Sequence, residues 1–588
     1  MLPLLSTLFL AFSSALAATV SYELVLSPGY TAPDGVLRKT YLVNGQSPGP
    51  HLTAKQGDDL EINVLNFLDV AVTIHFHGIE QTGTSWSDGV PGVTQRLIES
   101  GQSFLYKWKA TQSGLYWYHA HCRELYEDGI RGTLYLEPDP SLPTPFDLIS
   151  SEPDDLAAMI KANADPKIIS LSEWKHLESE QVLQEWDRTH VEPLCADSFL
   201  INGRGQVHCP LQNVLDSYIS PSIPALTPKG CIDPHATALG YPDARPNAVN
   251  PDFFYNCQNT TSPISVISVD PETNWASLAI ANIGSWSFIV SIDSHKLYVY
   301  SADGQYHHPQ AVDVLPVAIG HRYQVMIKLD QPTADYTIHV GSDVPLIASS
   351  GYAVLSYTQP DDGITTFTPP PVNPMQSYGG RIASGATVLN SLSLKPFPAT
   401  LVPPEESNRT YVFHLGHKNS TAWYLNNTPM DPFLLLEEPL LFAPQSMAQL
   451  DSSLRFSHPT GTVVDLVFQS GPGNPPHPIH KHRVSAWIIG AGPGYFKWNS
   501  VTEAMEERPE WFNLVDPPLR DGFMTLGGSS FLVVRYVVND PGVTFIHCHI
   551  NNHHVSGMAA VLMEGIEDMP AIPRDYMAWN SNAGQMRY

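Results

Sequence analysis

Four His-x-His pairs, two near each end of the chain, constrain its fold more than any other feature of the sequence. The pairs are His75 and His77, His119 and His121, His480 and His482, and His547 and His549. Because side chains of a β-strand alternate between its two faces, each pair places two imidazoles on one face. Neutral imidazole is the commonest metal ligand in proteins, and eight of them suit three ions that take three, three and two. We therefore predict a three-metal cluster that both ends of the chain must meet to form.

A cysteine stands inside the last of these pairs. Residues 543–550 are rich in Val, Thr, Phe and Ile and follow the turn signal Asp-Pro-Gly, which predicts a β-strand. Cys548 then faces away from the two histidines that flank it. A thiolate, an imidazole at His553 and a thioether at Met558 are ligands of a blue copper site, which His477 can complete. Cys548 is therefore predicted to connect a mononuclear copper site, through one residue's backbone on either side, to the cluster.

Short alternating strands between turns that contain Gly and Pro indicate an all-β protein of three Greek-key β-sandwiches. The first is predicted to span residues 18–145, with strands such as 61–65. The second spans 160–357, has no His-x-His pair, and is predicted to act as a spacer and as part of the substrate wall. The third spans 390–588, after a Pro-rich link at 359–374. Since the first and third domains carry two pairs each, the cluster is expected at the interface between them.

The amino terminus predicts export from the cell. Residues 1–17 form an apolar stretch that ends in Ala-Leu-Ala, typical of a cleaved secretory signal peptide. No later run is apolar and long enough to span a bilayer, so a secreted protein without a membrane anchor is expected. Four Asn-x-Ser/Thr sequons agree with a secretory route and are candidate N-glycan sites, namely Asn259, Asn408, Asn419 and Asn426.

The cysteine count predicts disulfides in an exported chain. With Cys548 assigned to copper, an odd number of cysteines remains, which implies one or two bridges and at least one free thiol. We expect the bridges in the region from Cys195 to Cys257. Cys122 is a candidate to tie the first domain to that region.

The net charge of the chain limits the kinds of molecule that it can bind. Its formal net charge of −27, from 31 Lys and Arg against 58 Asp and Glu, argues against a nucleic-acid partner. Such a charge favours neutral or cationic molecules at long range and keeps the protein soluble.

The four histidine segments resemble the copper motifs of the multicopper oxidases, and in detail those of ascomycete fungal laccases. The similarity extends through residues 167–174, 200–205 and 293–304 of the middle segment. The run from His547 to Met558 is most similar to laccases that couple polyketide phenols, as in conidial pigment formation. The resemblance implies a secreted copper oxidoreductase with three cupredoxin-like domains and four copper ions per chain, and a small phenolic donor and O2 as its partners.

The resemblance also assigns each predicted ligand to one ion. The type 1 copper takes His477, Cys548, His553 and axial Met558, and the type 2 copper takes His75 and His480. One type 3 copper takes His77, His119 and His549, and the other takes His121, His482 and His547. A thioether axial ligand stabilises Cu(II) and lowers the potential, so the expected donors are easily oxidised ones such as dihydroxynaphthalenes and catechols.

Some positions depart from the family pattern or extend it. The family usually has Gly where this chain has Arg483, and Gln where it has Leu125, and some relatives have an acid at the position of Asn551. These residues surround ligands and can alter their orientation. Asp88 matches an acid that relatives place by the cluster, and Asp128 follows a ligand pair closely. Both are candidate proton donors, although each could equally be an ordinary turn carboxylate.

Alternatives to a laccase remain open. A ferroxidase or an ascorbate oxidase would share the ligands, and a copper-sequestering protein would need no turnover. Storage would not require a cysteine flanked by ligands of a second metal centre, which favours an enzyme. The histidines outside the copper motifs are predicted to make loop or core hydrogen bonds, with His554 facing away from its neighbour; they are His295, His307, His308 and His554.

Overall fold

The computed structural model describes residues 17–581, apart from 222, 224, 240, 345–346, 359–374, 400–401 and 432–437. The predicted signal peptide, except its last residue, and the predicted Pro-rich link lie outside the described residues. No helix in the described part has the length and apolar character needed to cross a membrane.

The first part of the chain folds into two four-stranded sheets. Its strands are Thr19–Thr31, Arg38–Val43, Leu52–Lys55, Asp59–Asn66, Ile74–His77, Ser103–Lys109, Gly114–Ala120 and Arg131–Glu137. The predicted strand 61–65 lies within Asp59–Asn66, where buried residues alternate with more exposed ones. That alternation is expected when one face of a sheet packs on a core. The core between the sheets includes Ile62, Phe76 and Tyr118.

The middle part forms a larger sandwich of a seven-stranded and a five-stranded sheet. Its strands are Lys167–Trp174, Ser198–Ile201, Arg204–Gln206, Val266–Ser268, Trp275–Asn282, Phe288–Ile292, Leu297–Ala302, Gln305–Val312, Leu315–Val317, Arg322–Lys328, Asp335–Ser342 and Ser350–Ser356. Its helices are Pro153–Ala164, Ser179–Thr189, Gln212–Tyr218, Pro234–Thr237 and Pro251–Phe254. Apolar side chains of both sheets, among them Leu278, Phe288 and Val325, meet in one core.

The third part has two five-stranded sheets and one short two-stranded ribbon. Its strands are Arg409–His414, Gly416–Asn419, Ala422–Tyr424, Arg455–His458, Val463–Ser470, Pro478–Lys481, Ala486–Pro493, Leu519–Arg520, Gly522–Met524, Ser530–Val537, Gly542–Cys548 and Ala559–Glu564. Its helices are Val501–Glu507 and Asn551–Val555. A second ribbon, Gln376–Ser377 with Arg381–Ile382, contacts the middle sandwich through the Ser291 hydroxyl, which donates to Gln376. Because Pro478–Lys481 pairs with Gly542–Cys548, the two later histidine segments are neighbours in one sheet.

The last helix, Arg574–Ser581, packs back on the first sandwich. The Tyr576 hydroxyl donates a hydrogen bond to the Leu105 carbonyl oxygen (2.6 Å), and the Trp579 ring lies against Phe104. The segment that follows the third sandwich therefore ties it to the first.

Two disulfides lie within the middle part, Cys195 to Cys231 and Cys209 to Cys257. The prediction of bridges in this region is confirmed. The predicted tie through Cys122 is wrong, because Cys122 is a free thiol buried in the core of the first sandwich.

Buried ion pairs lock the middle sandwich onto the third. Arg322 donates to both carboxylate oxygens of Asp521 (2.7 and 2.6 Å), and Arg520 Nε donates to Asp303 (2.7 Å). All four side chains are almost fully buried. Buried pairs of this kind fix the orientation of the two sandwiches, since moving one sandwich away would leave a buried charge without its partner.

Candidate metal centre

Strand register brings the histidine pairs face to face. In the first sandwich His75 lies directly opposite His119 on the neighbouring antiparallel strand, and in the third sandwich His480 lies opposite His547. Directly paired residues of an antiparallel ladder have their side chains on the same face. Each sandwich therefore presents four imidazoles on one face.

The two sets of imidazoles meet between the first and third sandwiches. The ring of His75 stacks on His482 with 3.9 Å between centroids, and that of His77 stacks on His480 with 3.8 Å. His77 Nδ1 lies 3.1 Å from His549 Nε2. Gly320 of the middle sandwich covers the cluster, where a Cβ would lie 2.8 Å from His77 Cε1.

Potential ligand nitrogens within 4.8 Å of one another form three groups in this cluster. The groups are His75, His480 and His482; His75, His77 and His119; and His121, His482 and His547. The structure therefore brings all eight predicted histidines together. His549 joins the cluster through its contact with His77.

Hydrogen bonds orient these rings. The Nδ1 atoms of His75, His119, His480 and His547 lie 2.7–3.0 Å from backbone carbonyl oxygens, which can only accept. Nδ1 therefore carries the hydrogen in these four rings and Nε2 keeps its lone pair. Nε2 forms no hydrogen bond with a described residue in seven of the eight rings, namely those of His75, His77, His119, His121, His480, His482 and His547. An Asp521 carboxylate oxygen lies 3.5 Å from His77 Nε2.

Burial also keeps the rings neutral. It lowers the pKa of His77, His119 and His121 well below the usual value, and the neighbouring imidazoles act in the same direction. It lowers the pKa of His549 to about 3. Converging lone pairs of buried neutral imidazoles, without protein donors, fit a cluster of transition-metal ions.

Asp88 contacts two of these histidines. Its fully buried carboxylate accepts from His482 Nδ1 (3.1 Å), and its backbone carbonyl oxygen accepts from His75 Nδ1 (2.7 Å). A carboxylate behind a ligating imidazole fixes the tautomer and ring orientation. Asp88 therefore links the orientation of a first-sandwich histidine to that of a third-sandwich histidine.

A second group lies on the other side of the last strand. Cys548 Sγ is 3.7 Å from the Nδ1 atoms of both His477 and His553, and those two nitrogens are 3.2 Å apart. The strand ends at Cys548, two residues earlier than predicted, but the alternation of side chains holds. Met558 is buried in the same apolar cluster, and the Cys548 N–H donates to its carbonyl oxygen (2.9 Å). One thiol and two imidazoles at these distances can hold one soft or borderline ion.

A carboxylate and an indole border His553, and sequence analysis did not single out either one. Glu192 Oε1 of the middle sandwich lies 3.5 Å from His553 Nε2, and the Trp423 ring stacks on His553 at 3.7 Å between centroids. No spacing motif connects these positions, which are brought together by folding alone. The middle sandwich thus contributes to the surroundings of His553.

His554 is a further residue that the sequence did not connect with the cluster. It faces away from His553, as predicted, because neighbouring residues of the helix Asn551–Val555 point about 100° apart. Its ring lies 4.3 Å from that of His547 and 5.2 Å from that of His121. By contrast, His295 hydrogen-bonds the Tyr357 hydroxyl (2.7 Å) in the middle sandwich, as expected of a structural histidine.

Two departures from the family pattern have clear structural counterparts. Arg483 has a φ of 65°, the left-handed conformation that Gly adopts without cost, and its guanidinium pairs with Asp540. The Asp540 carboxylate also accepts from the Gly83 N–H (2.9 Å), so it connects the first and third sandwiches. Leu125 packs in the core of the first sandwich.

The contacts of Asp128 with described residues stabilise the fold and do not reach the cluster. Its buried carboxylate pairs with Arg38 and accepts from the Ser179 N–H (3.0 Å). None of its described contacts involves a predicted copper ligand. We expect Asp128→Asn to lower the free energy of unfolding by about 3 kcal/mol, because Arg38 would remain buried without a counter-charge. Chemical denaturation measures this loss, and a changed pH profile of oxygen uptake at unchanged stability would contradict it.

Comparison with known proteins agrees with this geometry. Residues 26–141, 165–360 and 442–568 each match the multicopper oxidase family. The chain is 37% identical to laccase abr2 of Aspergillus fumigatus, over 95% of this chain and 97% of that protein. It is 36% identical to multicopper oxidase VdtB of Byssochlamys spectabilis, over 95% and 85%.

Solved structures show the same fold. The laccase from Botrytis aclada superposes with a TM-score of 0.69 at 24% identity, covering 96% of this chain and 93% of that one. Fet3p, a multicopper oxidase that functions in iron import, also has a TM-score of 0.69, at 21% identity, covering 95% and 94%. The predicted all-β, cupredoxin-like fold is thereby confirmed. This chain belongs to the multicopper oxidase family, copper-dependent oxidoreductases that use O2 as the electron acceptor.

Proposed function

We propose that this protein is a secreted laccase that oxidises small phenols, with polyketide naphthols of pigment or secondary-metabolite formation as its donors. The observation that carries the proposal is the Glu192 carboxylate beside Nε2 of His553, the ring nitrogen that does not face Cys548. A phenol loses a proton as it loses an electron, so a carboxylate at the electron-entry imidazole can accept that proton. Trp423, which is buried and stacked on the same ring, holds that imidazole in place.

The proposed ligand sets follow the family assignment. His477, Cys548, His553 and axial Met558 would hold the type 1 ion, and His75 and His480 the type 2 ion. His77, His119 and His549 would hold one type 3 ion, and His121, His482 and His547 the other. Copper in these sites would supply one-electron oxidation of the donor and four-electron reduction of O2 to water.

The chain's own residues orient and connect the two centres. Cys548, the last residue of its strand, lies between His547 and His549 in the chain, so a single residue on either side joins the centres. Asp88 holds His75 and His482 in the orientation that leaves Nε2 free. A proton-donating role for Asp88, secretion, and glycans at the four sequons remain predictions.

Oxygen uptake by the copper-loaded protein, with a dihydroxynaphthalene, ferrous iron and ascorbate offered separately, tests the donor class. We expect the naphthol to be the fastest donor. Preference for iron or ascorbate would replace the phenol proposal by a ferroxidase or ascorbate oxidase. A fully blue protein that consumes no O2 with any of them would favour copper sequestration.

Glu192→Gln sharpens this test. We expect kcat/KM for the naphthol to fall by about 100-fold, because the amide cannot accept the phenol proton. The blue absorption should stay unchanged. Asp187→Asn, at an exposed carboxylate of the helix Ser179–Thr189, is the matched control and should behave as the wild type.

A further inference from the structure

A buried carboxyl without a hydrogen-bond partner lies in the loop that follows His121. Glu124 is fully buried, and neither of its side-chain oxygens has a partner among the described residues. Because a buried carboxylate without a partner is costly, burial raises the pKa of Glu124 well above its usual range. Repulsion from Glu127 acts in the same direction. Burial and the lack of a partner therefore favour the protonated form of Glu124.

Glu127, unlike Glu124, has several hydrogen-bond partners. Lys175 Nζ donates to its Oε2 (2.8 Å), Asn551 Nδ2 donates to its Oε1 (3.0 Å), and the Ser285 hydroxyl also donates to Oε1. Burial alone would raise the pKa of Glu127, but the Lys175 charge and the hydrogen bonds outweigh it, so the pKa lies below the usual value. Neighbouring carboxyls whose protonation preferences diverge in this way suit a proton donor and its acceptor.

Glu127 also contacts the wall of a cavity beside the imidazole cluster. That wall includes His119, His121, His547, His549, Tyr126 and Asn551. Asn551 donates its amide hydrogen to Glu127, and no described residue partners its Oδ1. The Ser285 hydroxyl that contacts Glu127 also lies 3.0 Å from the Tyr126 hydroxyl. Glu127 thus reaches two wall residues, one directly and one through a single hydroxyl.

All three sandwiches supply this arrangement. Glu124 and Glu127 come from the first, Lys175 and Ser285 from the middle one, and Asn551 from the third. The charged groups that face the two carboxyls are Arg123, Asp128, Arg131, Glu173 and Lys175. Arg123 pairs with Glu180, and Asp128 pairs with Arg38, so Lys175 is the cation that contacts Glu127.

We propose that Glu124 and Glu127 form a proton route into the cavity beside the cluster, with Asn551 as the residue that positions Glu127 at its wall. The proposal rests on the O2 reduction of the family and not on the identity of the electron donor. The reaction consumes four electrons and four protons, O2 + 4 e− + 4 H+ → 2 H2O, and the electrons come from four one-electron oxidations. Each proton passes from Glu124 to Glu127 and on to water in the cavity. Glu124 is fully buried, so the route includes a step in which water that enters the loop during turnover returns a proton to it.

Proton uptake during a single reoxidation tests the route without any phenol. Copper-loaded protein, fully reduced with dithionite, is mixed with O2 in weak buffer that contains a pH-indicator dye. We expect Glu127→Gln to slow proton uptake by about 100-fold, with unchanged copper content, and more strongly at higher pH where free protons are scarcer. Glu180→Gln, at a half-exposed carboxylate paired with Arg123, should keep the wild-type rate.

A second substitution separates proton transfer from a structural defect. Asn551→Asp, made in the Glu127→Gln protein, places a carboxylate on the cavity wall and should restore much of the lost rate. The proposal is overturned if Glu127→Gln takes up protons at the wild-type rate. It is equally overturned if the slow variant is not accelerated by Asn551→Asp, because a packing defect would not be repaired by a carboxylate there.

Infrared spectroscopy tests the stored proton independently of turnover. At pH 7 the wild-type and Glu180→Gln proteins should show the carbonyl stretch of a protonated carboxylic acid, in metal-free and copper-loaded forms alike. Glu124→Gln should remove one component of that band, since other buried carboxyls such as Glu80, whose pKa burial raises to about 7, can contribute to it. A wild-type protein with no protonated-acid band that depends on Glu124 would exclude this residue as the donor.

Discussion

Cys548→Ser is expected to abolish the blue absorption of the copper-loaded protein and its donor-dependent oxygen uptake. Cys548 is the one thiol in the group that it forms with His477 and His553, and it lies between two histidines of the cluster in the chain. A hydroxyl is a poor ligand for the copper of a blue site, whose character depends on a Cys thiolate. Absorption spectroscopy, copper analysis and an oxygen electrode measure the three consequences.

The other free thiol provides a matched control. Cys122 is also buried, in the core of the first sandwich, and Cys122→Ser should keep the blue absorption. It should lower only the stability, since a hydroxyl replaces a thiol in an apolar core. Blue absorption that survives in Cys548→Ser, or disappears in Cys122→Ser, would contradict the assignment of Cys548.

Acid is expected to destabilise the metal-free protein steeply below about pH 6.5, the usual pKa of histidine. Burial lowers the pKa of His477 and of seven cluster histidines, His77, His119, His121, His480, His482, His547 and His549. Above this pH these rings are neutral in both states, so they add no pH dependence. Below it the unfolded chain binds protons that the folded chain does not, and the free energy of unfolding falls.

The expected slope is large. Each such ring contributes about 1.4 kcal/mol per pH unit, so all of them together give on the order of 10 kcal/mol per unit. Thermal unfolding of the metal-free protein between pH 8 and pH 5 measures the effect. The copper-loaded protein should resist acid over the same range, because metal binding to the folded state opposes protonation of the ligands. Equal Tm values at pH 8 and pH 5 without metal would contradict the prediction.

Local sequence rules predicted the relative directions of side chains that lie within one strand. The alternation of side chains places Cys548 opposite its two neighbours, and the same rule gives each His-x-His pair a common face. The predicted strand boundary was wrong, since the strand ends at Cys548 and His549 follows it. The cysteine count suggested a disulfide for Cys122, although nothing in the spacing of cysteines reveals that this thiol packs inside the first core.

The sequence by itself determined the all-β class, the division of the predicted ligands between the two ends of the chain, and a set of donor atoms suited to copper, because strand periodicity and donor type are local properties. Asp88 apart, tertiary structure alone decided which carboxylates lie beside the two sites. Glu192 meets His553 from the middle sandwich, Glu127 meets Asn551 from the first, and Asp128 pairs with Arg38 instead of joining the cluster. Such contacts depend on how the three sandwiches pack against one another. No periodic pattern in the sequence indicates that residues so far apart in the chain are neighbours in space.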